Sequence, residues 1–204
     1  MPTSTFYNLP KEKQDRILNS AIKEFAQRGI NDANLSNIIR DSKISRGSLY
    51  QYFIDKQDIY VYTFQTLDKQ RNEHVSKAYH YFKTEPFLRF YEELYLLDSE
   101  YLFKNPLHVK MGRNLYSSSS TIAMGLVTEL KRKYREDFLI AIEFDKHKEI
   151  IKKDISSSAL ANLCVYFVTD VFIFQNSYAK MSIEKVKEDL NGILDVLKNG
   201  MYIQ

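Results

Sequence analysis

Six glycines and four prolines in 204 residues leave this chain few places for tight turns or hairpins. That scarcity argues against an all-β fold and for long helices joined by short loops. The apolar residues agree. Ile17, Leu18, Ala21, Ile22 and Phe25 recur at helical spacing behind Pro10, and the pattern stops at Gly29. Asn34 is a good N-cap for a short segment carrying Leu35, Ile38 and Ile39, and Ser45 caps another running from Arg46 to Phe53. Only residues 41–44 separate the two. Asp55 then caps a long helix that runs beyond Arg71. Residues 1–55 are therefore expected to form a three-helix helix-turn-helix domain, and residues 56–204 a larger helical domain. Breaks are predicted near residues 84–86, 104–106, 117–120, 156–158 and 180–182. No stretch alternates convincingly as a strand, so the expected fold class is all-α.

Composition excludes several function classes. The 29 Lys and Arg against 26 Asp and Glu give a net charge of +3, too mild to announce nucleic-acid or membrane binding in bulk. Residues 1–60 hold nine basic and seven acidic side chains, so any affinity for DNA must come from a local cluster presented twice in a dimer. The single Cys164 rules out an intramolecular disulfide framework and a cysteine zinc site, and fits a reducing compartment. Residues 1–10 lack a basic stretch followed by an apolar one, so a cytoplasmic protein is expected. The longest apolar run, residues 159–174, is broken by Asn162 and Asp170 and is shorter than the ~20 residues that span a bilayer. It reads as a buried helix, and no membrane partner is expected.

An enzyme is not expected either. His74, His80, His108 and His147 are scattered, and no zinc-protease, phosphate-loop, dinucleotide or nucleophile-elbow motif occurs. The run Ser117 to Ser120 has no His or Asp partner visible in sequence. No cofactor and no metal are implied.

Residues 34–56 carry the functional signal. Two short capped helices joined by a tight turn form the unit whose second helix enters the DNA major groove. Asn34 and Ser36 stand at the start of the first helix. Ser45 would cap the second while its free N–H groups face a phosphate. Arg46 and Ser48 sit at that helix's exposed start, where Arg suits guanine O6 and N7 and Ser suits several bases. Gly47 removes a side chain where backbone and base edges would collide. Leu49 and Phe53 point inward, Tyr50, Gln51 and Tyr52 offer hydroxyl and amide groups to the DNA backbone, and Lys56 adds a phosphate contact. The bland alternative makes the aromatics core residues of a helical bundle and Arg46 and Lys56 a solvated face. A helical adaptor that binds a protein partner instead of DNA is the rival function.

Ile44, Ser45, Arg46, Gly47, Ser48, Leu49, Tyr50, Tyr52, Phe53 and Lys56, with Phe25 to Gly29 upstream, resemble the signature of the TetR family of transcriptional regulators. The resemblance spans about residues 8–65. Two positions depart from it: Ile39 stands where the family has a small residue, and Lys43 where it has the turn glycine. A left-handed conformation costs a non-glycine residue ~1 kcal/mol or more. The resemblance implies a dimeric regulator, more commonly a repressor, that binds a palindromic double-stranded operator and is released by a small-molecule effector.

The resemblance also implies that the last two helices form the dimer interface. The matching residues here are Leu160, Leu163, Phe167, Val171 and Phe174, with the heptad-spaced Ile183, Val186, Leu190, Ile193 and Leu197. The same residues could pack within one chain, and periodicity does not decide between the two. Of the 28 Tyr and Phe, 21 lie beyond residue 60. Tyr62, Phe90, Tyr91, Tyr95, Phe103 and Tyr166 are the expected lining of an apolar or aromatic ligand's pocket, with plain core filling as the alternative.

Overall fold

The computed structural model describes residues 1–171 and 182–202, the side chains of Asp170 and Val171 excepted. Its elements are helices: α1 Ser4–Tyr7, α2 Lys11–Asp32, α3 Leu35–Ser42, α4 Arg46–Tyr52, α5 Lys56–Val75, α6 Phe87–Lys104, α7 Pro106–Tyr116, α8 Thr121–His147, α9 Ser157–Tyr166 and α10 Ile183–Met201. A 3₁₀ turn, Ser76–His80, follows α5, and a π turn, Phe167–Val171, follows α9. Among the described residues no β-strand forms; one isolated antiparallel bridge joins Ile151 to Tyr202. The fold is all-α, with an N-terminal helix-turn-helix and a larger helical remainder.

The chain divides into two compact units. The first comprises Met1–Gln70 and Asn105–Thr128, the second Arg71–Lys104 and Glu129–Gln204. Helix α7 therefore belongs to the body that carries the helix-turn-helix.

In the first unit, the apolar stripe of α2 buries Ile17, Ala21 and Phe25 against Ile38 of α3, Leu49 of α4 and Met111 and Leu115 of α7. Gly29 interrupts α2 with φ 68° and ψ −177°, a left-handed backbone that favours glycine. Asn114 of α7 meets this break: its Nδ2 donates to the carbonyls of Phe25 and Ala26, 3.0 Å each. A helix that kinks leaves such carbonyls without their usual donors, and α7 supplies one. The short helix α1, absent from the sequence-based expectation, inserts Phe6 into the same core with no exposed surface.

The second unit is built on aromatic packing. Phe138 of α8 has Phe87, Tyr91 and Phe90 of α6 around it, with ring centroids 5.7, 5.6 and 6.2 Å away. Arg71 pairs with the buried Asp98 through two of its guanidinium nitrogens, Nε and Nη2, the latter at 2.6 Å. Asp145, also buried, accepts from the Phe87 N–H at 2.7 Å at the start of α6. Desolvation raises the Asp145 pKa, partly offset by that hydrogen bond.

Candidate nucleic-acid interface

Local chemistry builds the two helices of the pair. The Asn34 side chain accepts from the Ser36 N–H at 2.9 Å and caps α3. The Ser45 hydroxyl accepts from the Ser48 N–H at 3.0 Å and caps α4, and it also bonds the Ser48 hydroxyl at 2.8 Å. Between them Lys43 takes the left-handed conformation, φ 56° and ψ 45°, and its N–H and that of Ile44 close the end of α3 onto Arg40 and Ile39. The turn thus keeps its helix-turn-helix shape with lysine where glycine is cheaper. Ile39 is half-buried against the core.

The exposed start of α4 gathers much of the expected chemistry. Ser45, Arg46 and Gly47 are exposed and Ser48 is half-exposed. The Arg46 guanidinium lies 5.9 Å from the Tyr50 ring centroid, a cation–π arrangement on the helix surface. A Cβ on Gly47 would meet only the Ser45 hydroxyl, at 3.9 Å, so nothing inside this chain requires glycine there. Leu49 and Phe53 are each 1% exposed and hold the helix down. Tyr50 and Gln51 are exposed, as are Asn34 and Ser36.

Two residues take other roles. Tyr52 is buried, with its ring against Phe6, and Lys13 stands 5.5 Å over it, so it packs the helix rather than facing outward. Lys56 is turned back: its Nζ donates to the carbonyls of Asn31 at 2.8 Å and Ala33 at 3.3 Å, closing the C-terminal end of α2.

Glu24, which sequence reasoning passed over, is central to the unit. It is 5% exposed, accepts from the Asn34 N–H at 2.8 Å and from Asn37 Nδ2 at 3.0 Å, and stands 3.3 Å from Arg28. Its place in the buried stripe with Ile17 and Ala21 was the available signal. Asn114 gave none, because its partners lie 88 and 89 residues away.

The expected interface residues divide. Val186, Leu190 and Leu197 are 1%, 1% and 7% exposed and Leu160 is 6% exposed, so these four are turned into the chain's own core. Ile183, Ile193 and Phe167 are half-buried. Leu163 stays outside, at 43% exposure; so do two residues not among the expected interface, Tyr166 at 54% and Val196 at 74%. Phe174 and the side chain of Val171 lie outside the described residues.

The expected ligand residues do not converge on one cavity. Tyr62 belongs to the first unit, with its ring 5.1 Å from Phe6 and 5.7 Å from Phe53. Phe90, Tyr91 and Tyr95 are buried among other rings, Phe103 is half-buried, and Tyr166 faces outward. Tyr91 donates to the Cys164 carbonyl at 3.4 Å. Burial pushes the Cys164 thiol up to about 12, which suits packing rather than nucleophilic chemistry. A concavity of about 530 Å³ in the second unit lies elsewhere, between α6 and the end of α10. Among the described residues, no helix is long and apolar enough to cross a membrane.

A capped helix pair closed by a left-handed turn, with an exposed Arg-Gly-Ser at the start of the second helix, defines a helix-turn-helix unit. Residues 17–63 match the sequence model described as bacterial regulatory proteins, tetR family. The chain is 36% identical over 59 residues to the HTH-type transcriptional regulator HbdR of Aromatoleum sp. (strain CIB); the match covers 29% of this chain and only 26% of HbdR. It is 24% identical over 192 residues to the biofilm operon icaADBC negative transcriptional regulator IcaR of Staphylococcus epidermidis, covering 90% of this chain and 97% of IcaR. A TetR-family regulator from Chloroflexus aurantiacus J-10-FL shares the fold over the whole of both chains, with a TM-score of 0.73 and 22% identity.

Proposed function

We propose that this protein is a repressor that binds a two-fold symmetric operator as a homodimer, reading base edges with the start of α4. The observation that carries this reading is the exposed Arg46-Gly47-Ser48 on a helix capped by Ser45 and held down by Leu49 and Phe53. Arg46 is the candidate for guanine and Ser48 for an adjacent base. Tyr50, Gln51, Asn34 and Ser36 are the candidates for phosphate contacts. The likeness to IcaR, a negative regulator, over nearly the full length supports repression over activation.

For the dimer, the supporting observations are the outward Leu163 and Tyr166 on α9 and the outward Val196 on α10. Two copies are required because the basic cluster of one copy is small, and doubling it multiplies the phosphate term.

Control by an effector belongs to the same proposal. The concavity of the second unit mixes Leu88 and Leu194 with Arg89, Glu92, Asp195 and Lys198. That lining suits a small molecule with an apolar part and charged ends better than a wholly apolar or aromatic one.

The test is selection of preferred duplexes from a random-sequence library by the full chain, followed by fluorescence anisotropy. A preferred palindromic duplex should emerge, and Arg46→Ala should lose about 1–3 kcal/mol of preference at one base position of each half-site. Recovery of no preferred duplex at moderate salt would sink the reading and favour an adaptor role.

A further inference from the structure

The last carbonyls of any helix lack intrahelical donors, and a helix of seven residues is too short to hold its shape alone. Helix α4 has its N-terminal end secured by Ser45, but the chain that follows it runs away extended, with Phe53 at φ −136° and ψ 140°. The Ile54 N–H turns to Asp58 at 3.1 Å, not back to α4. The missing donors come from the other end of the sequence. The Thr3 hydroxyl donates to the Gln51 carbonyl at 2.7 Å, and the Thr3 N–H donates to the Tyr52 carbonyl at 2.9 Å. Three residues on, Phe6 is wholly buried, with its ring 5.0 Å from Phe53, 5.1 Å from Tyr62 and 6.2 Å from Tyr52. Gln14 of α2 donates to the carbonyls of Tyr7 at 3.2 Å and Leu9 at 2.9 Å, so this segment is pinned to both helices.

We propose that residues 3–6 are a clamp that sets the angle of the DNA-reading helix, with Thr3 and Phe6 as positioning residues for operator recognition. The inference rests on the DNA-binding reading above. Its physical basis is leverage. A seven-residue helix is about 10 Å long, so a tilt of about 10° at the clamped end displaces Arg46 at the other end by about 2 Å. Base-edge hydrogen bonds do not survive such a shift, since productive geometry holds only within about 0.5 Å. Phosphate attraction tolerates it. The clamp therefore acts on discrimination between sequences more than on general affinity for DNA.

The experiment compares the parent chain with Thr3→Val and Thr3→Ser on two probes: the duplex selected by the parent chain and a scrambled duplex of equal length. Valine keeps the shape and the backbone donor but loses the hydroxyl; serine keeps the hydroxyl. Thr3→Val should weaken binding of the selected duplex about fivefold, the worth of one net hydrogen bond, and leave the scrambled duplex unchanged. Thr3→Ser should restore the parent ratio. Phe6→Leu, which keeps an apolar plug but not the ring contacts, should lower the same ratio while the chain retains its helical circular dichroism. An unchanged ratio in Thr3→Val, or an equal loss on both probes that Thr3→Ser does not repair, would overturn the clamp. If the parent chain selects no duplex at all, the DNA-binding reading falls first and takes the clamp with it.

Discussion

Glu24 of α2 and Asn37 of α3 are joined side chain to side chain at 3.0 Å, and the same carboxylate receives the backbone N–H of Asn34 at 2.8 Å. One buried acid thus fixes where the first helix of the reading pair leaves α2. Glu24→Ala would strand both donors, and unfolding in urea should show a loss of about 2–3 kcal/mol. Glu24→Gln retains an acceptor and should lose less. Equal stability for Glu24→Ala and the parent would remove Glu24 from this role.

Gly47 separates fold from function. Its Cβ position is open apart from the Ser45 hydroxyl at 3.9 Å, so Gly47→Ala should stabilise α4 by about 0.5–1 kcal/mol. The same methyl group would stand against DNA, and duplex affinity should fall about tenfold, near 1.4 kcal/mol. A thermal melt and an anisotropy titration on one sample decide the matter; a variant that gains stability and keeps its affinity shows that this turn does not approach DNA.

Lys56 is held by the carbonyls of Asn31 and Ala33. Lys56→Met should therefore cost about 1–2 kcal/mol of stability. The slope of log affinity against log salt should stay that of the parent, whereas loss of a phosphate contact would lower it by about one.

Leu190 and Val196 lie on the same helix and should answer different measurements. Leu190 is 1% exposed, and Leu190→Ala should cost about 2–5 kcal/mol of stability. Val196 is 74% exposed, so Val196→Asp should change stability by no more than about 0.5 kcal/mol yet convert a dimer to monomers in sedimentation velocity. An unchanged sedimentation coefficient would move the interface off this face.

His108 of α7 has its pKa lowered from 6.5 by burial, which favours the neutral imidazole in the folded chain. The unfolded chain takes up its proton first as pH falls. This contribution to stability is therefore intact well above the ordinary value of 6.5 and is lost as pH falls through it towards the lower folded value. Urea midpoints at pH 7.5 and 5.5 should differ more for the parent than for His108→Gln; identical differences would exclude the effect.

The parts of the site that sequence exposes are those made by neighbours in the chain. The Asn34 and Ser45 caps act on N–H groups two and three residues on, and the left-handed Lys43 lies between two recognisable helices. Lys56, Thr3 and Asn114 are different, because their partners lie 23 to 89 residues away. A lysine beside a reading helix looks the same whether it faces phosphate or a carbonyl from α2. The heptad pattern of α10 has a related ambiguity. Periodicity identifies an apolar face, but only packing shows that Val186, Leu190 and Leu197 are covered by their own chain.

The grip of Asn114 on the break in α2 also has a consequence for biosynthesis. The body that carries the helix-turn-helix is discontinuous, closed by Asn105–Thr128 after an excursion of 34 residues, Arg71–Lys104, into the other unit. A nascent chain cannot complete it when the helix-turn-helix leaves the ribosome; Phe25 and Ala26 must wait for α7 to be made. The helix-turn-helix body is therefore completed late in translation, and a fragment truncated after α5 would carry α3 and α4 on an unfinished support.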